Sequence, residues 1–126
     1  MLVDSHCHLD YNDFEEDMDE IILRMKENGI TAALNAGNCI DTLDEQLKLS
    51  EKYPFVYTAV GVHPHNADEF PGVSAAELAE KSRHKKIVAI GECGLDYYYD
   101  YSGKENQRKV FAEHIRACLL YTSDAA

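Results

Sequence analysis

The sequence predicts an α/β fold built on a parallel sheet, and three observations carry that expectation. Short apolar runs alternate with stretches of helical periodicity four times along the chain. The 126 residues suffice for one domain with its own core, and no linker or low-complexity segment divides them. The apolar content of 45% is that of an ordinary globular protein, with no apolar run long enough to span a bilayer.

Residues 2–7 read as the first strand. Phe14, Met18, Ile21, Ile22 and Met25 then recur at helical spacing, predicting a helix over 14–28. Asn12 or Asp13 would cap its start and Gly29 would end it. Residues 30–35 read as strand two. Helix two is expected over 41–52, with Leu43 and Leu47 on one face and Pro54 beyond its end. Residues 55–60 form strand three, followed by the loop GVHPHNADEFPG. Ser74-Ala75-Ala76-Glu77 reads as a capping box opening helix three. Residues 86–91 form strand four, and a tyrosine-rich loop leads into a fourth helix over 104–117. Val110, Phe111, His114 and Ile115 are expected on its inner face. Two architectures compete at this level, an open doubly wound sheet and a β/α barrel. Strand one ends in His-Cys-His rather than a glycine-rich phosphate loop, which counts against a nucleotide-binding sheet.

The formal net charge of −11 excludes a broad phosphate-binding surface of Lys and Arg. It leaves room for a phosphate substrate held through divalent ions, which reverse the local field. The acidic run over 15–20 reads as a solvated helix start. The four cysteines form no C-x-x-C pair and read as reduced thiols. The N-terminus lacks the basic and apolar regions of a secretory signal, so a cytoplasmic location is expected.

In a strand, residues two apart share a face. His6 and His8 therefore point together, and Cys7 points away to pack as a small apolar group. If the strands are parallel, their C-terminal ends share one rim. That rim then collects His6, His8, His63, His65, Glu92 and Asp96. Glu92 follows the strand IVAIG and reads as the third ligand beside the two histidines, although a strand-end carboxylate can instead cap a helix. Asp4 and Asp10 are candidates to orient the imidazoles, Asp10 equally a loop residue. His63 and His65 flank Pro64 and would bind a phosphate, position a leaving group, or fix their loop. His84 and His114 are read as structural. Tyr97, Tyr98, Tyr99 and Tyr101 would stack on bases or cover the barrel edge.

Taken together, VDSHCHLD, GVHPH and IGECGLDYY, in this order and spacing, resemble the TatD family of metal-dependent hydrolases over about residues 1–117. The resemblance implies the N-terminal half, four βα units, of a TIM-type β/α barrel of the metal-dependent hydrolase superfamily. It implies one or two divalent ions, commonly Mg, Mn or Zn, and hydrolysis of DNA phosphodiesters by metal-activated water. His6 and His8 would bind one ion and Glu92 would bridge to a second. His63 would act with Glu92 in catalysis, and His63, His65 and Asp96 would contact substrate. In the family, four further strands supply two more histidines and a late aspartate. Here the fourth helix runs into CLLYTSDAA, with Tyr121 where the family has a histidine. The expectation is a partial barrel over 1–117, a tail over 118–126 foreign to it, and little nuclease activity from these residues alone. Two other readings stand beside it: an amide or ester hydrolase on the same barrel, and an inactive half-barrel that self-associates through its exposed edges.

Overall fold

A computed structural model describes residues 1–11 and 14–124. Four strands, β1 (Leu2–Cys7), β2 (Ile30–Asn35), β3 (Val56–Val60) and β4 (Ile87–Ile90), form one sheet in the order β1-β2-β3-β4. All three pairings are parallel. Between and after them run α1 (Met18–Glu27), α2 (Leu43–Lys52), α3 (Ala75–Lys81) and α4 (Lys104–Asp124). The order decides between the two architectures. A doubly wound sheet reverses its strand order at a switch point, and here the order never reverses. Right-handed crossovers between successive parallel strands put every helix on one face. The chain is thus an arc of four βα units from a β/α barrel, with β1 and β4 as its edges.

The strand ends follow the sequence pattern within a residue. The helix boundaries depart from it in instructive ways. Gly29 ends α1 at φ +80°, a conformation that side chains with a Cβ rarely adopt. The helix starts at Met18 rather than Phe14, and the intervening residues form a turn closed by an Asp17 N–H to Phe14 carbonyl bond. Continuing the helix backwards would stack Glu15 on Asp19 and Glu16 on Glu20, like charges at i,i+4 spacing. The expected caps Asn12 and Asp13 lie outside the described residues, as do the last two residues of the chain. A 3-10 turn over Ile40–Thr42 replaces the expected first turn of α2. The Ser74 hydroxyl accepts from the Glu77 N–H at 3.2 Å, as the capping pattern predicts. In α4, Val110, His114 and Ala117 are buried, but Ile115 is exposed. Five residues beyond Val110 is about 140° around a helix, so Ile115 must leave the inner face. The helix also continues past the expected end at Ala117 to Asp124.

Two apolar clusters fix the layers. Val60, Ile87, Leu43, Leu78 and Val110 join β3 and β4 to α2, α3 and α4. Leu9, Met18, Ile22, Tyr53 and Val56 seat α1 against β3. Between α2 and β3 runs a buried polar seam, in which Ser50 bonds Thr58 and the Gln46 carbonyl.

Two contacts tie this core to the rim. His114, 1% exposed, accepts the Val62 N–H at Nε2, 2.9 Å away, and donates from Nδ1 to the Val110 carbonyl at 2.7 Å. That pattern requires the neutral ring with its proton on Nδ1. Burial lowers the pKa of His114. Gly61, at the end of β3, lies so close to β4 that a Cβ there would stand 2.6 Å from the Gly91 carbonyl group.

Two expectations follow. The unfolded His114 titrates near pH 6.5 and the folded one lower. Between those values the unfolded chain holds more protons, so stability is level above about pH 6.5 and falls as pH drops below it. In urea unfolding from pH 8 to pH 5, His114→Gln, which keeps an acceptor for Val62, should show a shallower loss than the parent. Identical slopes would remove His114 as the cause. Gly61→Ala should cost about 1–3 kcal/mol in the same assay, because backbone rather than a side chain must yield.

Candidate metal centre

The rim is assembled by backbone hydrogen bonds that reach across strands. The Ala36 N–H donates to the Cys7 carbonyl at 2.8 Å, and the His63 N–H to the Asn38 carbonyl at 2.9 Å. The Gly91 N–H donates to Val60 and the Glu92 N–H to Gly37, each at 2.8 Å. The last bond skips a strand. Gly37 follows β2, so the chain leaving β4 bends back over the end of β3. Glu92, joined to Gly91 by a cis peptide bond, is thereby carried toward β1.

There it meets three imidazoles. Glu92 Oε2 lies 3.7 Å from His6 Nε2 and 3.8 Å from His8 Nε2, and Oε1 lies 3.6 Å from His63 Nε2. The alternation in β1 produces this directly. His6 and His8 share one face with ring centroids 5.0 Å apart, while Cys7 turns to the α1 cluster. The Cys7 thiol donates to the Leu34 carbonyl at 3.3 Å, and burial, with Asp4 and Asp10 nearby, pushes its pKa up to about 12. Packed against that cluster and bonded to Leu34, Cys7 faces away from the two imidazoles. The His8 ring stacks on Tyr11 at 4.9 Å.

The donor set fits a divalent cation. His6, His8 and Glu92 each offer one ligand atom, and these atoms lie within 4.8 Å of one another. The 3.7–3.8 Å separations exceed hydrogen-bond range but suit two ligands reaching one ion between them, since Zn–N and Zn–O bonds are about 2.0–2.2 Å. Two imidazoles and a carboxylate suit Zn, Mn or a similar borderline ion.

The other expected residues are placed less uniformly. Asp4 accepts the His6 backbone N–H at 3.1 Å, so it shapes the strand end rather than holding a ring. Asp10 Oδ1 and His8 Nδ1 are both buried without a hydrogen-bond partner, so these two atoms do not form the orienting bond suggested by the sequence. His63 Nδ1 accepts the His65 N–H at 3.1 Å. A neutral His63 therefore carries its proton on Nε2, facing Glu92. Burial lowers the pKa of His63, with Glu92 opposing the shift. His65 Nε2 bonds Asp96 Oδ2 at 2.6 Å. That bond, with the Tyr99 N–H, holds the Asp96 carboxyl below its usual range. Asp96 and His65 thus form a braced pair beside the three-imidazole cluster.

Three residues position the site: Asn35 and Gln107, which sequence reasoning passed over, and His114, which it read as structural. Asn35, fully buried, accepts the Leu9 N–H at 2.7 Å and so fixes the chain leaving His8. His114 holds Val62, the residue before His63. Gln107 accepts the Asp96 N–H at 2.8 Å and donates to the Asp96 and Ser102 carbonyls. A polar residue closing an otherwise apolar strand was the legible signal for Asn35. Nothing comparable marked Gln107.

Two clefts border these groups. A cleft of about 660 Å³ between α1 and α2 is lined by Tyr11, Gln46 and Lys52, and contains none of the imidazoles. The smaller, about 490 Å³, is lined by His63, Glu92, Asp96 and Tyr98 and opens on the cluster. Chemistry, not size, selects the second.

Known proteins share these features. The family model described as TatD related DNase matches residues 3–121. An uncharacterized metal-dependent hydrolase of Bacillus subtilis, YabD, is 37% identical over 115 residues, covering 91% of this chain and 45% of that protein. The 3'-5' ssDNA/RNA exonuclease TatD of Cronobacter turicensis is 31% identical over 115 residues, 91% of this chain and 44% of the exonuclease. Among solved structures, the TatD homolog YjjV of Escherichia coli matches with a TM-score of 0.85 at 28% identity, over 96% of this chain and 48% of that one. A TatD family hydrolase from Entamoeba histolytica matches with a TM-score of 0.76 at 25% identity, over 97% of this chain and 46% of that one. The chain spans about half the length of the relatives it matches. With the family model matched over nearly its whole length, on a sequential parallel α/β arc, the chain belongs to the TatD-related DNase family.

Proposed function

We propose that this chain carries the His6, His8 and Glu92 ligands of a divalent-metal-dependent hydrolase of DNA phosphodiesters, and that these residues alone hydrolyse DNA only weakly. The observation that carries the reading is one carboxylate standing 3.6–3.8 Å from three imidazole nitrogens at the C-terminal rim of a β/α sheet. Relatives named as 3'-5' ssDNA/RNA exonucleases support a single-stranded nucleic acid as substrate.

A bound divalent ion supplies Lewis-acid polarisation of a phosphoryl oxygen and acidifies water at neutral pH. The protein's own groups do the rest. His6, in β1, and His8, the first residue past its end, turn Nε2 toward Glu92, so their spacing is set largely by β1. Glu92 offers two oxygens, Oε2 toward His6 and His8 and Oε1 toward His63. His63, neutral with its proton on Nε2, acts as a hydrogen-bond donor to a phosphoryl or leaving oxygen in the cleft. His65 holds that tautomer through its own N–H, and Asp96 holds His65. Asp96 and His65 line the substrate approach. Beside the Glu92 carboxylate, a bound cation is the precondition for a phosphate to reach the imidazole cluster, which ties hydrolysis to added metal. The two sheet edges, β1 and β4, are the surfaces through which copies of the chain would associate.

The test is calorimetric titration with Mn²⁺, paired with release of nucleotides from a single-stranded oligodeoxynucleotide. Glu92→Gln removes the shared charge and should weaken Mn²⁺ binding at least tenfold while the fold, read by circular dichroism, persists. His8→Ala should behave alike. His63→Gln should leave Mn²⁺ affinity within about threefold and lower the hydrolysis rate, by the 10²–10⁴-fold that a positioned proton donor typically contributes. Mn²⁺ binding unchanged by Glu92→Gln would contradict the ligand assignment.

A further inference from the structure

The loop between β4 and α4 carries Tyr97, Tyr98, Tyr99 and Tyr101, all exposed, with Tyr98 at 87%. A ring so exposed covers no barrel edge. The loop is nevertheless rigidly built. Asp96 Oδ1 accepts the Tyr98 and Tyr99 N–H groups at 3.0 and 3.1 Å, and Gln107 bonds both main-chain groups of Asp96. The rings brace one another: Tyr98 meets Tyr99 edge-on at 4.8 Å, and Tyr101 lies 4.7 Å from His65. Ordering aromatic side chains in water has an entropic and hydrophobic cost, so the fold holds an apolar surface open that it could have left mobile.

Cations adjoin that surface. Lys104 Nζ lies 5.1 Å and Arg108 Cζ 5.9 Å from the centre of the Tyr97 ring, and Arg108 Nε donates to the Tyr97 hydroxyl at 3.0 Å. Among the described residues, neither cation is paired with a carboxylate, whereas Lys52 and Lys109 are. Tyr97 and Tyr98 also line the cleft that His63 and Glu92 line. The cleft beside the imidazole cluster thus reaches both Tyr98, the most exposed of the four rings, and its neighbour Tyr97, on which Lys104 and Arg108 lie, in a chain whose net charge is −11.

We propose that this loop is a binding site for single-stranded nucleic acid, with a nucleobase stacked on Tyr98 and a backbone phosphate on Arg108 and Lys104. The choice of ligand rests on the phosphodiester reading above. A flat exposed ring receives any unpaired base, and neighbouring cations receive the phosphate. A duplex, whose base faces are already stacked, offers Tyr98 nothing. The site would hold the strand a nucleotide or more from the bond beside Glu92, giving grip without sequence preference.

The test is anisotropy of fluorescein-labelled oligo(dT) octamer, titrated with the whole chain in EDTA, so that the metal ligands play no part. Tyr98→Ala should weaken binding about tenfold, and Tyr98→Phe should restore it. Arg108→Gln should also weaken binding and reduce the slope of log affinity against log salt by about 0.7, whereas Tyr98→Ala should leave that slope unchanged. Circular dichroism and melting confirm that each variant folds. An abasic octamer binding as tightly as oligo(dT), or Tyr98→Ala binding within twofold of the parent, would overturn the proposal. So would a parent chain that fails to bind, or one that dimerises through this loop in sedimentation and loses the dimer in Tyr98→Ala. Mn²⁺ affinity reports the Glu92 cluster separately, so loss of one reading is told apart from loss of the other.

Discussion

The hydrogen bond from the Glu92 N–H to the Gly37 carbonyl is the contact on which the rim depends. In a sheet of order β1-β2-β3-β4, the end of β4 is three strands away from β1. Neighbouring strands are about 4.8 Å apart along the sheet, so a carboxylate leaving β4 must reach across the arc to meet His6 and His8. Bending the chain back over β3 removes that distance. It requires β3 to end low and without side chains in the way. Gly61 supplies this, its backbone packed against that of Gly91 too closely for a Cβ. The rim is therefore the product of glycine contacts and one long-reaching backbone bond.

Beneath it, the core performs a second task besides stability. His114 reaches up from α4 to hold Val62, and Asn35 holds Leu9. Each of these buried polar groups fixes the backbone next to a rim histidine. A buried amide N–H left without its acceptor costs about 1–3 kcal/mol, so these bonds are strongly enforced. Three imidazoles can then face one carboxylate without direct ion pairing, at 3.6–3.8 Å. Such a gap is too long for a hydrogen bond and suits a cation shared between the ligands.

Much of this was legible in the sequence, for identifiable reasons. The strands β2, β3 and β4 stood out because each is a short apolar-leaning run with Gly, Asn or Pro at an end, and the period of two in Asp4-Ser5-His6-Cys7-His8 predicted which side chains of β1 and its exit share a face. The parallel order then placed His6, His8, His63 and Glu92 on one rim. What was not legible came from tertiary or electrostatic terms that local pattern does not contain. The start of α1 lies at Met18, and extending it backward would set Glu15 against Asp19 and Glu16 against Glu20. Ile115 looked like core from composition but lies off the face defined by Val110, His114 and Ala117. Asp4 was a plausible partner for an imidazole, yet its carboxylate is taken by the nearer His6 N–H. The bracing of His65 by Asp96, 31 residues apart, has no local signature at all.

The central claim is that His6, His8 and Glu92 hold one cation between them. It is tested most directly by diffraction from crystals grown with Mn²⁺, with data collected on both sides of the manganese absorption edge. The account predicts an anomalous peak in contact with the Nε2 atoms of His6 and His8 and with the Glu92 carboxylate. A well-ordered rim with no peak there, and manganese bound only elsewhere, would contradict it.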